Sequence, residues 1–420
     1  MKERNTNILS PQNMVMGFQH MFVMFGATVL VPIITGLDIS VALFASGVGT
    51  LLFHIVTGFK VPVYLGSSFA FIPAIIAIST AEGGSLQKAC GGIVIAGLLY
   101  VVVAIIFQFI EFDTIHKILP PHVTGPMIIL IGLILAPVAI SSANGSNSPA
   151  IVEQIGAAGC WGIALFTFAA GVFVKIFLER WGFQFISTLP VLLALISGYI
   201  LSMIAGIVTF DSISNAAWFG LPSFSLPVFD VGAISIAVPI AIVTMVEHFG
   251  DVLAIGNVVN KDFIRDPGIH RTLIGDGLAT SLSAFMGGPA NTTYSENTGA
   301  VALTGNYNPI VMEIAAVFAI VLSIVPKFGG LISTIPVPVV GGISILLFGM
   351  ISAVGIKTMV ENRVDLHNPK ILIISAAMLV LGLGGAEFVF GPIKLSGLGL
   401  AAIIGILLNL ILSVGEDHRR

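Results

Sequence analysis

The stretch Gly287 to Gly305, GGPANTTYSENTGAVALTG, interrupts the apolar character that governs most of this chain. Long hydrophobic segments flank it, yet between Gly287 and Asn297 it packs two asparagines, two threonines, a tyrosine, a serine and a glutamate behind a Gly-Gly-Pro. Such a stretch makes a poor membrane-spanning helix. Non-helical backbone at membrane depth persists only where it is buried in protein or lines a cavity, and an ionisable residue there, Glu296, marks a functional site by default. The alternative is a polar external loop, which is what most Asn/Thr/Gly/Pro clusters form.

Composition sets the frame. With 420 residues, 56% hydrophobic and 9% charged, and a mean hydropathy of +1.05, the chain has too little polar surface for a soluble protein. It reads as an all-α polytopic membrane protein in contact with the lipid bilayer. The 47 glycines and 21 prolines suit close helix packing and interrupted helices. A net charge of −4 with no basic run argues against a nucleic-acid partner. Cys90 and Cys160 stand at no metal-ligand or redox spacing and read as packing residues. The polar residues 1–13 lead into the first span without a small-residue cleavage site, so a retained span is expected rather than a signal peptide.

Hydrophobic stretches place fourteen transmembrane segments at 14–34, 39–58, 65–80, 90–110, 122–140, 157–178, 186–208, 233–255, 272–287, 294–305, 309–326, 335–356, 370–386 and 395–415. With the N-terminus cytoplasmic, only Lys88, Lys327 and Lys394 of the 17 lysines and arginines fall outside, the bias expected of a correct topology. Both tails, 1–13 and 416–420, are then expected to be cytoplasmic.

Segments three and ten are short and irregular, and they hold matching places when the chain is cut into two sets of seven. An odd number per half forces the halves into opposite orientations, a 7+7 inverted repeat. Paired interrupted segments in inverted repeats point to a transporter's midplane binding site. In each, a short extended piece, VPVYL and then PANTTY, is expected to lead into a half-helix whose N–H groups face the cavity. Two poorly hydrophobic full spans remain the other reading.

The eighth segment carries VEHFGDVLAIGN, with Glu247 and Asp251 one helical turn apart on one face. Intramembrane acids almost always face a bundle interior or water, and the nearest basic residues other than His248 lie beyond the span, at Lys261 and Arg265. Desolvation and like-charge repulsion oppose a doubly ionised pair, so one of the two is expected to exchange a proton. His20 in the first segment is a weaker signal, since a buried histidine more often bridges helices. NVVNKDFIRDPGIHRT, following the eighth segment, reads as a solvated cytoplasmic loop with a turn at Asp266-Pro267-Gly268. No metal cluster, nucleophile–base pair or phosphate loop stands at useful spacing, so neither an enzyme nor a cofactor is expected.

Together QHMFVMFGATVLVP, VPVYLGSSFAFIPA, VEHFGD, KDFIRDPGIHR and NTTYSENTGAVALTG resemble the nucleobase–ascorbate transporter family, through nearly the whole chain and in order. Glu296-Asn297-Thr298-Gly299 through Thr304-Gly305 is similar to the family signature, with Glu in the first place as in its uracil branch. The resemblance implies a proton-coupled uracil importer of the cell's inner membrane working by alternating access, and homodimers. It implies a core domain, 14–117 and 233–330, holding substrate against a gate domain, 118–232 and 331–415. The positions matching the family's uracil site are Ala27, Phe69, Glu247, Tyr294, Ser295 and Glu296, with Phe348 facing them from the gate. Asp251, His20 and Glu247 match positions tied to proton coupling. Two departures stand out: Asp251 replaces the His common in uracil carriers and is also found in purine carriers, and Phe348 replaces a Tyr. A xanthine, uric acid or other purine carrier is therefore the alternative within the family. An anion channel or exchanger on the same repeat would be expected to carry basic residues at the half-helix ends, where this chain has acids and neutrals. Uracil's two N–H donors and two carbonyls call for carboxylate acceptors, here Glu247 and Glu296. They also call for half-helix N–H donors near Phe69 and Ser295, and for an aromatic face, Phe69 or Tyr294.

Overall fold

A computed structural model describes residues 10–109 and 118–413; the tail residues 1–9 and 414–420, and Lys117, lie outside them. Each helix starts where local chemistry lets it. Helix α1 (Pro11–Thr35) opens with Pro11 and with the Ser10 hydroxyl accepting from Asn13 N–H, and α2 (Ile39–Val56) with Asp38 accepting from Val41 N–H at 2.9 Å. Strand β1 (Leu65–Ser67) and a 3₁₀ turn (Phe69–Phe71) lead into α3 (Ile72–Thr80). Then follow α4 (Leu86–Phe107), α5 (Pro121–Ala143), α6 (Pro149–Phe173), α7 (Pro190–Ile204) and the short α8 (Asp211–Asn215).

The second half repeats the order: α9 (Val231–Val259), α10 (Ile269–Phe285), β2 (Asn291–Thr293), α11 (Ser295–Thr304), α12 (Ile310–Ser323), α13 (Pro326–Ser333), α14 (Val337–Glu361) and α15 (Pro369–Leu383). A hairpin of β3 (Glu387–Phe390) and β4 (Ile393–Ser396) precedes the last helix, α16 (Gly397–Ser413).

Each of the fourteen expected segments carries a helix. Seven helices among the described residues are long and apolar enough to cross a membrane, and α12 with α13, bent by 85°, makes an eighth candidate. The remaining segments hold shorter helices, α3, α7, α10, α11, α15 and α16. Helix α6 starts at Pro149, ahead of the expected 157, but it breaks at Gly156, whose φ of 69° suits a residue without Cβ. The membrane-length run therefore begins where hydropathy placed it.

The extended piece of segment three differs from expectation: the strand is Leu65–Ser67, not VPVYL. Pro62 has no N–H to give a ladder, so pairing starts after it. β1 and β2 run antiparallel with Leu65 opposite Thr293, Gly66 opposite Thr292 and Ser67 opposite Asn291. Tyr294 N–H to the Tyr64 carbonyl (3.0 Å) and Ser68 N–H to the Ala290 carbonyl (2.8 Å) extend the ladder at both ends. This antiparallel crossing is what two halves in opposite orientation produce.

Two packing sets surround it. In one, α10 lies along α4 and α2, α9 along α4, and α12 along α1 and α2; in the other, α14 lies along α5 and α6, and α15 along α16. Buried apolar side chains form three clusters, represented by Tyr100 and Ile240, by Tyr64 and Met312, and by Leu30 and Phe348, and the partly buried Phe69 packs against all three.

Candidate functional site

The two half-helices begin where the strands end. Neither the 3₁₀ turn at Phe69 nor α11 at Ser295 has a side-chain cap, so first-turn N–H groups remain for a ligand. Tyr294 and Ser295 part company here. Tyr294 is 3% exposed, its hydroxyl donates to the Ser67 carbonyl at 2.9 Å, and the Thr28 hydroxyl donates to it at 3.4 Å. Its ring lies so close to Gly66 that a Cβ there would sit 2.5 Å from Cε2 and Cζ. Tyr294 is thus a brace between the strands and α1, whereas Ser295 and Glu296 are exposed at the half-helix tip.

Helix α9 brings its acids to the same place. Asp251 accepts a hydrogen bond from Thr293 Oγ1 at 2.8 Å and another from Ser295 Oγ, tying α9 to β2 and α11. Glu247 is half-buried one turn earlier, and Glu247, Asp251 and Glu296 lie within electrostatic reach of one another. Across from them Phe69 meets Phe348 of α14 edge to face, ring centroids 6.0 Å apart at 74°. Ala27 is buried in α1, within the same apolar cluster as Tyr294. His20, fully buried two turns before it, does not reach the acids. Its Nδ1 and its carbonyl oxygen each lie 3.2 Å from Asn297 Nδ2, joining α1 to α11.

Behind this front row lies a group that sequence reasoning passed over. His248 Nδ1 is 3.4 Å from Thr293 Oγ1 and 3.3 Å from Asp276 of α10, and His248 and Asp276 are both fully buried. The rule that singled out Glu247, an acid inside an apolar segment, applies equally to Asp276 within Ile274-Gly275-Asp276-Gly277. Likewise His54 of α2, bonded to the Val63 carbonyl at 3.0 Å, faces Glu313 of α12 at 3.4 Å. Among the described residues no group of three or more His, Cys, Asp or Glu side chains could hold a metal ion. The arrangement offers carboxylate acceptors, backbone donors and an aromatic wall to a small, flat, polar molecule.

Two seven-segment halves crossing at paired short strands define a polytopic membrane protein of the inverted-repeat fold, and solved membrane transporters share it. The structure of SLC26A9 superposes with a TM-score of 0.71 at 12% identity, covering 96% of this chain and 65% of that one; the transmembrane domain of the cyanobacterial bicarbonate transporter BicA does so with 0.63 at 13%, covering 96% and 97%. At that identity the likeness is one of fold. The sequence profile of the Permease family matches residues 11–389, and the chain belongs to that family, in line with its resemblance to the nucleobase–ascorbate transporters. It is 43% identical to a probable uracil permease of Pasteurella multocida (strain Pm70), over 99% of this chain and 98% of that one. It is 42% identical to the uracil permease of Bacillus caldolyticus, over 96% and 92%.

Proposed function

We propose that this protein imports uracil together with protons by alternating access, as a carrier and not an enzyme. The observation that carries the reading is the convergence of Glu247, Glu296 and the uncapped start of α11 opposite the Phe69–Phe348 pair. Uracil presents two N–H donors and two carbonyl acceptors on a flat ring. Glu247 and Glu296 accept the ring N–H groups, first-turn N–H groups of the half-helices donate to its carbonyls, and Phe69 stacks on its face. The names of the relatives, uracil permeases at about 40% identity over nearly the full length, support the same substrate.

Ala27 leaves room for the ring, and Tyr294 acts from behind by holding β1 and the half-helix tip in register. Asp251, one turn from Glu247 and bonded to hydroxyls rather than to a cation, carries the coupled proton; His20 supports α11 through Asn297. The set containing α1–α4 and α9–α12 is the core that holds substrate, and the set containing α5–α7 and α14–α16 is the gate. We place both termini and the loop at 260–268 in the cytoplasm, the protein in the inner membrane, and two copies in the working unit.

Labelled-uracil uptake into proteoliposomes under an inward proton gradient tests the reading. Accumulation that unlabelled uracil abolishes and xanthine leaves intact is expected. Uptake that xanthine abolishes and excess uracil leaves undiminished overturns the substrate.

A further inference from the structure

Away from the site, a cleft of about 730 Å³ opens at one end of the bundle, where α4 and α9 finish and α10 begins. Two helices long and apolar enough to cross a membrane, α4 and α9, end beside it, which sets it at the level where lipid headgroups meet water. Its wall is apolar: Phe107 of α4, Leu253 of α9 and Ile269 of α10, with Leu253 exposed and Val102, Ile105 and Ile106 of α4 exposed as well. Its rim is of another kind. Lys261, Arg265 and His270 stand there with the amide of Asn260, and a π-helical turn over Ile264–Gly268 leads into α10.

We propose that this cleft is a binding site for one anionic phospholipid, its phosphate held at the rim and one acyl chain lying along the Phe107–Leu253 wall. Each half of the cleft answers one half of that molecule. An apolar wall open to the bilayer suits an acyl chain and would be wasted on a free anion. Basic side chains grouped between helices at a membrane face suit an anionic headgroup and not a zwitterionic one.

One opposing charge tunes the site. Asp262 also lines the cleft, with its Oδ2 3.4 Å from Arg265 Nε; it occupies part of the guanidinium that a phosphate would use. Lys261 has no ion pair among the described residues and is the cation fully at the lipid's disposal. The proposal depends on the membrane class of the protein and not on its substrate.

Native mass spectrometry of the detergent-solubilised full chain, titrated with phosphatidylglycerol or phosphatidylcholine, tests it. The first phosphatidylglycerol is expected to bind about tenfold more tightly than phosphatidylcholine. Lys261→Gln and Arg265→Gln should each weaken that first event about fivefold, the worth of one basic residue near a headgroup. Asp262→Asn should strengthen it, which a merely structural role of the loop does not predict. Lys357→Gln, on an exposed part of α14, serves as the control and should change nothing. Equal affinity for the two lipids, an unchanged first event when Lys261→Gln and Arg265→Gln are combined, or full displacement by millimolar inorganic phosphate would each overturn the assignment, the last by making a soluble anion the occupant.

Discussion

Glu247 is half-buried and Glu296 exposed, yet the proposed function gives both one task, accepting from ring N–H groups that have left water behind. Truncating one partner of a buried hydrogen bond costs about 1–3 kcal/mol, more when the partner is charged. Glu247→Ala and Glu296→Ala are therefore each expected to weaken uracil binding by about 5- to 150-fold; a thermal-shift titration on folded protein reads this directly, and a near-parental dissociation constant for either variant removes it from the site. Asp251 calls for a different experiment. Its oxygens accept from Thr293 and Ser295, hydroxyls that can turn to accept as well as donate, so Asp251→Asn fits without rebuilding the site. Binding should stay within about tenfold, or ~1.4 kcal/mol, and uracil–uracil counterflow should persist, while proton-driven accumulation is lost. Were the variant to accumulate uracil like the parent, His20 would be the next residue to test for coupling. Glu247 and Asp251 were legible as acids inside an apolar segment, and Glu296 as the ionisable residue of a polar break between such segments. Asp276 is an acid inside an expected span as well, and the sequence reading overlooked it. That Tyr294 turns inward while Ser295 and Glu296 face out was not legible, since it depends on the pairing of β2 with a strand some 225 residues away.

Helix ends and strand crossings carry the next scale. Gly66→Ala would place a methyl against the Tyr294 ring and 2.6 Å from Thr28 Oγ1, and the ring cannot swing aside while its hydroxyl is bonded to Ser67. Overpacking of this kind costs about 1–3 kcal/mol; a lowered melting temperature together with weakened uracil binding is expected, and a variant that binds normally would show that the crossing is not rigid. At the start of α9, Asp230 accepts from Ala233 N–H at 2.9 Å and lies 3.7 Å from Lys88. The Ala233 N–H, aided by the Lys88 ammonium, holds its carboxyl below the usual carboxylate range. A depressed carboxyl stabilises the folded state above its unfolded pKa of about 3.9; that contribution is lost as pH falls through the lower folded value. Asp230→Ala should therefore cost about 1 kcal/mol near neutrality, with the gap in melting temperature from the parent closing below about pH 4. A gap unchanged down to pH 3 would refute the capping account. The β3–β4 hairpin escaped the sequence reading because its two strands are four residues each, although the Gly391-Pro392 turn between apolar residues is a hairpin signal.

For the whole molecule, hydropathy placed a helix in each of the fourteen expected segments, because apolar length is a property that local sequence carries. Which helices pack together did not follow from either rule, since glycines and small residues permit many close approaches. Sidedness is open to direct test. Cys90 and Cys160 are both buried, so a cysteine placed at an exposed position reports alone. A membrane-impermeant maleimide should label Lys394→Cys on intact cells and Lys357→Cys only after permeabilisation; the reverse pattern would invert the topology.

The antiparallel pairing of β1 with β2 joins one half of the chain to the other through backbone hydrogen bonds at the very point where the two half-helices begin. Those bonds are indifferent to side-chain rearrangement. A cradle tied in this way is expected to keep its shape while the walls around it open and close. A molecule entering from either side meets the same atoms at the same spacing, so the order in which nucleobases compete should be identical for uptake and for efflux.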